Sequence, residues 1–101
     1  MIDLYLYSPE AAEDVFEAAS NYSEAREGLG REFSDEVERQ VRSLMTSPHR
    51  CIEVRPGIRQ AVVRRFPHLI FYSIVGNILY VVAVIPSRRD PAHIDRILGE
   101  R

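Results

Sequence analysis

The chain has 101 residues, of which 46% are hydrophobic and 28% charged, a balance typical of one globular domain spanning residues 1–101. No apolar run approaches the about 20 residues that a membrane-spanning helix needs, and the acidic N-terminal stretch does not read as a signal peptide. The single cysteine, Cys51, excludes an internal disulfide, so we expect a cytoplasmic protein without a membrane partner.

Charge is spread unevenly, although the formal net charge is only −2. Residues 1–49 carry 11 acidic and 4 basic side chains, whereas residues 50–101 carry 4 acidic and 9 basic ones. All 13 basic residues are arginine, which can bind a phosphate or carboxylate through two parallel hydrogen bonds. The asymmetry fits a basic working surface, and it fits equally well two solvated acidic helices with scattered arginines.

The N-terminal half predicts a strand followed by two helices. The strand is expected over Ile2–Tyr7, and Ser8-Pro9 then supplies a capping hydroxyl and a proline suited to the first helical turn. We expect the first helix over Pro9–Glu27, with Phe16 on its apolar line, and the second over Arg31–Met45. Their short connection predicts a helical hairpin.

The C-terminal half predicts an antiparallel meander. Three runs rich in Val, Ile, Tyr and Phe follow one another at Arg59–Arg65, His68–Val75 and Ile78–Ile85. A short strand at Cys51–Val54 can precede them, and Pro91 can begin a last helix. The order β-α-α-(β)-β-β-β-α predicts an α+β fold, with a helical hairpin packed on one face of a small antiparallel sheet.

The Gly76-Asn77 turn predicts which side chains share a face of the last hairpin. Counting back from the turn places Phe71 opposite Val82. Both faces are then apolar, whereas a sheet with one solvated face alternates, so we expect both faces to be covered. The two expected faces carry Leu69, Phe71, Val75, Ile78, Tyr80, Val82 and Val84 on one side, and Ile70, Tyr72, Ile74, Leu79, Val81, Ala83 and Ile85 on the other.

No residue pattern indicates a metal site, a cofactor or a catalytic triad. The three histidines lie far apart, Cys51 has no partner cysteine, and no glycine-rich phosphate loop is present. Arginines on and just beyond the meander are the strongest candidates for function. For Asp90, capping of the last helix is the favoured interpretation.

The phrase RRFPHLIFYSIVGNILYVVAVIPSRRDP, preceded by a strand and a helical hairpin, resembles the RelE/ParE superfamily, the toxins of bacterial type II toxin–antitoxin modules. The final Arg-Arg-Asp-Pro after an apolar strand is typical of the ParE-like, "plasmid stabilisation" subgroup. The resemblance covers nearly the whole chain. It implies a cognate antitoxin whose disordered C-terminal segment folds around the toxin and covers apolar surface.

The resemblance leaves the target open. ParE-type toxins inhibit DNA gyrase by binding, whereas RelE-type relatives cleave messenger RNA on the ribosome with basic side chains and a proton-transfer group. The positions that match the RelE-type strand residues are Gln60, Val62 and Leu69, and Pro86 stands where relatives often have histidine. Proline has no proton to transfer and the chain has no lysine.

We therefore expect a gyrase-binding toxin that uses no catalytic residues, no cofactor, no metal and no direct contact with nucleic acid. One alternative is a ribosome-dependent messenger-RNA endonuclease of the RelE type, which would bind RNA directly. Another is a non-toxic relative that only binds its antitoxin.

Two groups of residues are predicted to make the contacts. Arg88 and Arg89 should bind the target from the rigid end of the last strand, one of them pointing outward while the other pairs with Asp90 or with the acidic helices. The antitoxin should bury the sheet face that carries Leu69, Phe71, Tyr80 and Val82, with Arg64 pairing an antitoxin carboxylate at the rim.

Overall fold

The computed structural model describes residues 1–101 and confirms the predicted order of elements, the short second strand included. The sheet has five strands in the order β1-β5-β4-β3-β2. Strand β1 pairs with β5 in parallel, and the other neighbours are antiparallel, so the α+β fold is built on a mixed sheet. The elements are β1 (Leu4–Tyr7), α1 (Pro9–Ala25), α2 (Leu29–Thr46), β2 (Glu53–Arg55), β3 (Ile58–Val62), β4 (His68–Val75), β5 (Ile78–Pro86) and α3 (Pro91–Glu100).

Helices α1 and α2 form the predicted hairpin because local signals set their ends. The Ser8 hydroxyl accepts a hydrogen bond from the Ala11 amide at 3.0 Å and caps α1. Gly28 has a φ of +82°, a left-handed conformation that glycine adopts without strain, and it turns the chain into α2. Gly30 lies so close to α1 that a Cβ there would stand 2.2 Å from the Ala19 carbonyl oxygen.

The main core lies between this helical hairpin and one face of the sheet. It contains 14 buried residues, and Phe33 of α2 is completely enclosed in it. The expectation that Phe16 faces the core is wrong, because its side chain is 67% exposed. Val15 packs against the core instead, and the next residue of a helix points about 100° away from it.

The register of β4 and β5 follows the prediction beside the turn and departs from it further along. Phe71 pairs with Ala83 instead of Val82, while Tyr72 still pairs with Val81. Val82 is therefore an extra residue in β5, a β-bulge. A single inserted residue exchanges the faces of every residue beyond it, which sequence counting from the turn cannot detect.

The bulge corrects the predicted faces of the last strand. Ala83 and Ile85 pack with Phe71 on the face away from the helical hairpin, whereas Val84 belongs to the main core. We call the face away from the helical hairpin the second face of the sheet. None of the three helices combines the length and the hydrophobicity that crossing a lipid bilayer requires.

Helix α3 covers the middle of the second face. Leu98 of this helix is buried with Phe71, Ala83 and Ile85 in a cluster of four residues that is separate from the main core. Asp90 begins the helix by accepting the Ala92 amide at 3.1 Å, as the capping interpretation predicted. Beside α3, the second face stays open at β1, where Leu4 is 40% and Leu6 48% exposed.

Candidate functional site

Two arginine-bearing turns meet at one end of the sheet. The Ser87 amide at the end of β5 donates to the Pro67 carbonyl at 2.8 Å, which ties the β5–α3 turn to the β3–β4 turn. The first turn carries Arg88 and Arg89 and the second carries Arg64 and Arg65. We call these four residues the arginine end. Arg88 and Arg89, which the sequence predicted to bind the target, therefore lie beside Arg64.

Arg65 has a structural role in this group. Its guanidinium lies 2.9 Å from Glu32 and 3.8 Å from Glu36 of α2, and it stacks over the Phe66 ring with 5.7 Å between Cζ and the ring centroid. These contacts support a backbone φ of +72°, which is unusual for a residue other than glycine. The hydrogen bonds from Arg65 and Arg26 lower the pKa of Glu32.

The other three arginines differ in their freedom. Arg64 and Arg88 are exposed and make no hydrogen bond or ion pair within the chain, whereas Arg89 donates to Nε2 of His93 at 2.7 Å. Of the two arginines predicted to bind the target, Arg88 is thus free and Arg89 is paired. The partner of Arg89 is His93, and not Asp90 or the acidic helices. Burial raises the pKa of Tyr22, and the charge of Arg88 opposes that rise.

Two clefts flank the end of β5, and Arg89 lines both. The cleft beneath α3 has a volume of about 260 Å³ and is lined by Gln60, Phe71, Ser87 and Asp95 among others. The cleft on the opposite side, between α1 and β5, has a volume of about 270 Å³. We call the second one the α1 cleft.

The cleft beneath α3 has few side chains that could exchange a proton with a substrate. Its only titratable side chains are Arg55, Arg89 and Asp95, and arginine stays charged at physiological pH. His68 is the cross-strand partner of Pro86, the position at which relatives often have histidine. Its imidazole nevertheless packs in the core on the other side of the sheet, so it does not replace that histidine.

His68 is an unusual core residue that the sequence did not single out. It is 6% exposed, and its ring centroid lies 4.7 Å from that of Phe33. Burial, followed by the charge of Arg89, lowers the pKa of His68, which is therefore neutral at physiological pH. Its Nδ1 lies 3.4 Å from the Tyr22 hydroxyl, whose own pKa is raised by burial.

The structure separates the residues predicted to bind the antitoxin. Phe71 is 1% exposed beneath α3, and Leu69 and Val82 lie at the margin of the same cluster. Tyr80 lies on the open part of the second face, opposite Leu6 of β1. Arg64 lies at the arginine end.

Sequence reasoning did not assign Leu4 and Leu6 to this surface. The alternation of leucine and tyrosine in β1 could have indicated that they belong there. In the structure, Tyr5 and Tyr7 both pack against the main core. The Tyr5 hydroxyl also donates to Glu38 of α2 at 2.7 Å. Leucines that alternate with such tyrosines must point to the second face.

An ion pair between Asp14 and Arg101 was also missed. The Arg101 guanidinium binds both carboxylate oxygens of Asp14, at 2.5 and 3.0 Å, and donates to the Val82 carbonyl at 3.1 Å. Asp14 accepts the Val84 amide at 3.0 Å as well. The pair joins α1, the bulged edge of β5 and the end of α3, and no sequence pattern connects residues so far apart.

The mixed sheet, the helical hairpin and the terminal helix define the fold of the RelE/ParE toxin superfamily. Residues 5–91 match the family described as the ParE toxin of the type II toxin-antitoxin system parDE, and the chain belongs to that family. The resemblance to the RelE/ParE superfamily that the sequence suggested is therefore confirmed.

Solved structures share the fold at low sequence identity. A chain of the chromosomal ParDE toxin–antitoxin system from P. aeruginosa superposes with a TM-score of 0.74 at 17% identity, covering 85% of this chain and 96% of that one. The isolated E. coli RelE toxin superposes with a TM-score of 0.63 at 11% identity, covering 97% of this chain and 98% of that one. No curated protein is significantly similar in sequence.

Within the described chain, no group of three or more His, Cys, Asp or Glu side chains is arranged to hold a metal ion. The arrangement at the arginine end is suited to binding anions, because guanidinium groups present several donors in a fixed geometry.

Proposed function

We propose that this ParE-family toxin binds and inhibits DNA gyrase, arresting growth, and that a cognate antitoxin neutralises it. The observation that carries the proposal is the free Arg88 guanidinium at the arginine end. Exposed arginines without partners are costly to order upon binding unless their backbone is already fixed. Membership in a toxin family of the parDE system supports the antitoxin partner.

The backbone on both sides of Arg88 is held in place. The Ser87 amide is bonded to Pro67, and Asp90 caps α3 two residues further on. The side chain therefore extends from a rigid turn between a strand and a helix. Such a position reduces the entropy lost on binding and gives the guanidinium a defined direction toward a carboxylate or another acceptor on the target.

The chemistry of the cleft beneath α3 favours binding over catalysis. Cleavage of RNA requires one group that accepts a proton and another that donates one. The Asp95 carboxylate could serve as one of the two, but Arg55 and Arg89 stay charged and cannot serve as the other. Inhibition by binding needs no such groups. The RelE-type nuclease therefore stays the second candidate, and it serves as one outcome of the following experiment.

A supercoiling assay with purified gyrase tests the proposal. Wild-type chain should block supercoiling and stabilise DNA breaks, and Arg88→Ala should lose at least about tenfold in potency, since truncating one member of a close charge pair costs about 2 kcal/mol or more. Arg96→Ala removes another exposed, unpaired arginine and should behave as the wild type. The melting temperatures of both variants should match the wild type.

Each other result has a definite meaning. An active Arg88→Ala variant would remove Arg88 from the target contact while leaving gyrase as the target. A wild-type chain that spares gyrase but cleaves transcripts on ribosomes would be a RelE-type nuclease. Normal growth upon induced expression would identify a relative that only binds its antitoxin.

For the antitoxin, we propose a helical segment packed on the second face beside α3. Leu4, Leu6 and Tyr80 offer an apolar surface there, and the predicted contacts at Leu69 and Val82 lie at its border with α3. Phe71 can contribute only if α3 leaves its place, because that helix covers it. Arg64 stays a predicted partner for an antitoxin carboxylate at the arginine end.

Leu6→Asp separates this surface from the rest of the molecule. Leu6 is 48% exposed, so the variant should fold, and a charge in the interface should weaken binding of the antitoxin encoded by the neighbouring gene by about 100-fold. Phe16→Asp places the same charge at an apolar side chain that is 67% exposed on the helical hairpin, and it should bind normally. A folded Leu6→Asp variant with unchanged affinity would exclude this surface.

A further inference from the structure

The α1 cleft is lined by a largely buried histidine that has one ring nitrogen without a partner in the chain. His68 lines the cleft and is 6% exposed, and only its Nδ1 makes a hydrogen bond within the chain. No fully buried side-chain nitrogen or oxygen lacks a partner in this structure. The free Nε2 is therefore reached from the cleft, where it can bond to a ligand.

We assign the proton of His68 to Nε2 from the one hydrogen bond that its ring makes. Tyr22 keeps its proton because burial raises its pKa, and its hydroxyl can donate to Nδ1 at 3.4 Å. A neutral imidazole that accepts at Nδ1 carries its proton on Nε2. Nε2 is then a donor at the wall of the cleft. Arg89 lines the same cleft, and its guanidinium keeps further N–H donors besides the one that it gives to His93.

The remaining walls limit the size and charge of a ligand. Ala18, Val84 and Pro86 give the cleft an apolar floor, and Asn21 lies at its wall. The Asp14 carboxylate is already engaged by Arg101 and the Val84 amide. Glu17, in contrast, is exposed and has no ion-pair partner, so its charge opposes a dianion more strongly than a monoanion.

We propose that the α1 cleft binds a single carboxylate group, the acidic side chain of a peptide, through the Arg89 guanidinium and the Nε2–H of His68. A volume of about 270 Å³ accommodates one such side chain on the apolar floor. A nucleic acid carries one negative charge per phosphate, so the acidic surface of Glu10, Glu13, Glu17 and Glu24 along α1 opposes it more strongly than it opposes one carboxylate. The site goes beyond gyrase inhibition and can be tested on the chain alone.

The test uses two short peptides and nuclear magnetic resonance of the labelled chain. Acetyl-Ala-Glu-Ala-amide should shift the His68 ring nitrogens and the Arg89 side-chain signal, with a Kd of about 1 mM as expected for so small a ligand. Acetyl-Ala-Gln-Ala-amide should bind at least about tenfold more weakly, since it lacks the charge. The free chain should show His68 with its proton on Nε2.

Three variants and inorganic phosphate sharpen the assignment. Arg89→Gln should weaken the glutamate peptide about tenfold, whereas Arg96→Gln, outside the cleft, should not change it. Glu17→Gln should tighten binding, because it removes a repelling carboxylate. The proposal is overturned if the glutamine peptide binds equally well, if Arg89→Gln has no effect, if Glu17→Gln weakens binding, or if phosphate binds these residues more tightly than the peptide does.

Discussion

The two faces of the sheet are covered in different ways. On one face, two helices of 17 and 18 residues enclose a cluster of 14 buried residues. On the other, one helix of 10 residues buries a cluster of four and leaves the surface beside it open. Packing on the first face therefore supplies most of the stability. On the second face, α3 adds a smaller stabilising contact and lies next to an open surface that a partner can use.

The largest effect should come from breaking the first face. Phe33→Ala removes a completely buried ring that contacts Tyr22, Phe66 and His68. We expect the free energy of unfolding to fall by about 3–5 kcal/mol, the usual cost of such a cavity, measured by denaturant titration. Phe16→Ala removes the same atoms from an exposed site and should change the free energy by less than about 0.5 kcal/mol. Equal losses in the two variants would contradict this picture.

A corresponding change on the second face should have a smaller and more local effect. Leu98→Ala weakens the packing of α3 on Phe71, and we expect a loss of about 2 kcal/mol, at the lower end of the range for buried leucine. Hydrogen exchange should accelerate in α3 and β2, with little change in α2. Uniform acceleration throughout the chain would mean that the two faces unfold as one unit.

The close contact within the helical hairpin can be broken with one methyl group. Gly30→Ala would force a Cβ to within 2.2 Å of the Ala19 carbonyl oxygen, and we expect a net loss of about 1–2 kcal/mol although alanine favours helix. Gly99→Ala is the matched control in α3. The nearest atom there lies at 3.8 Å, so this variant should gain about 0.5–1 kcal/mol. A stabilised Gly30→Ala would show that the helices can separate at little cost.

The smallest effect is the dependence of stability on pH through His68. Its pKa is lowered in the folded chain from an ordinary value of 6.5, so the unfolded chain binds the proton more readily. The contribution of neutral His68 to the free energy of unfolding should be complete above pH 6.5. It should decline as the pH falls from 6.5 toward the pKa of His68 in the folded chain. Glu32 and Glu38, whose pKa values are lowered by their partners, act only below about 4.5.

His68→Gln should flatten this decline. The slope of the unfolding free energy between pH 6.5 and 5 should be smaller in the variant than in the wild type, whatever the absolute stability of each. An unchanged slope would assign the effect to another group.

The sequence was sufficient for elements whose signals are local. Glycine at the hairpin turn, proline at two helix starts and runs of β-branched residues predicted the strands, the helices and their order. The bulge at Val82 could not be predicted, because it inserts a residue inside a uniformly apolar run. For the same reason, the faces of Val84 and Ala83 were exchanged.

The candidate site was predicted in part. Arg88 and Arg89 were identified because they follow an apolar strand directly, and the structure adds Arg64 to their neighbourhood through the bond from Ser87 to Pro67. The partner of Arg89 depends on the turn of α3 that places His93 beside it. The α1 cleft and the Asp14–Arg101 pair depend on contacts between distant parts of the chain, which a single sequence does not reveal.

The parallel pairing of β1 with β5 has a consequence during protein synthesis. Leu4 pairs with Ile78, so β1 is synthesised well before β5, the neighbour that it needs to join the sheet. At about 5–20 residues per second, that interval lasts several seconds. Arg88 follows the closing strand at once, so the folded sheet and the free guanidinium emerge together. Until β5 and the turn after it have been made, Arg88 has no fixed backbone from which to reach a partner.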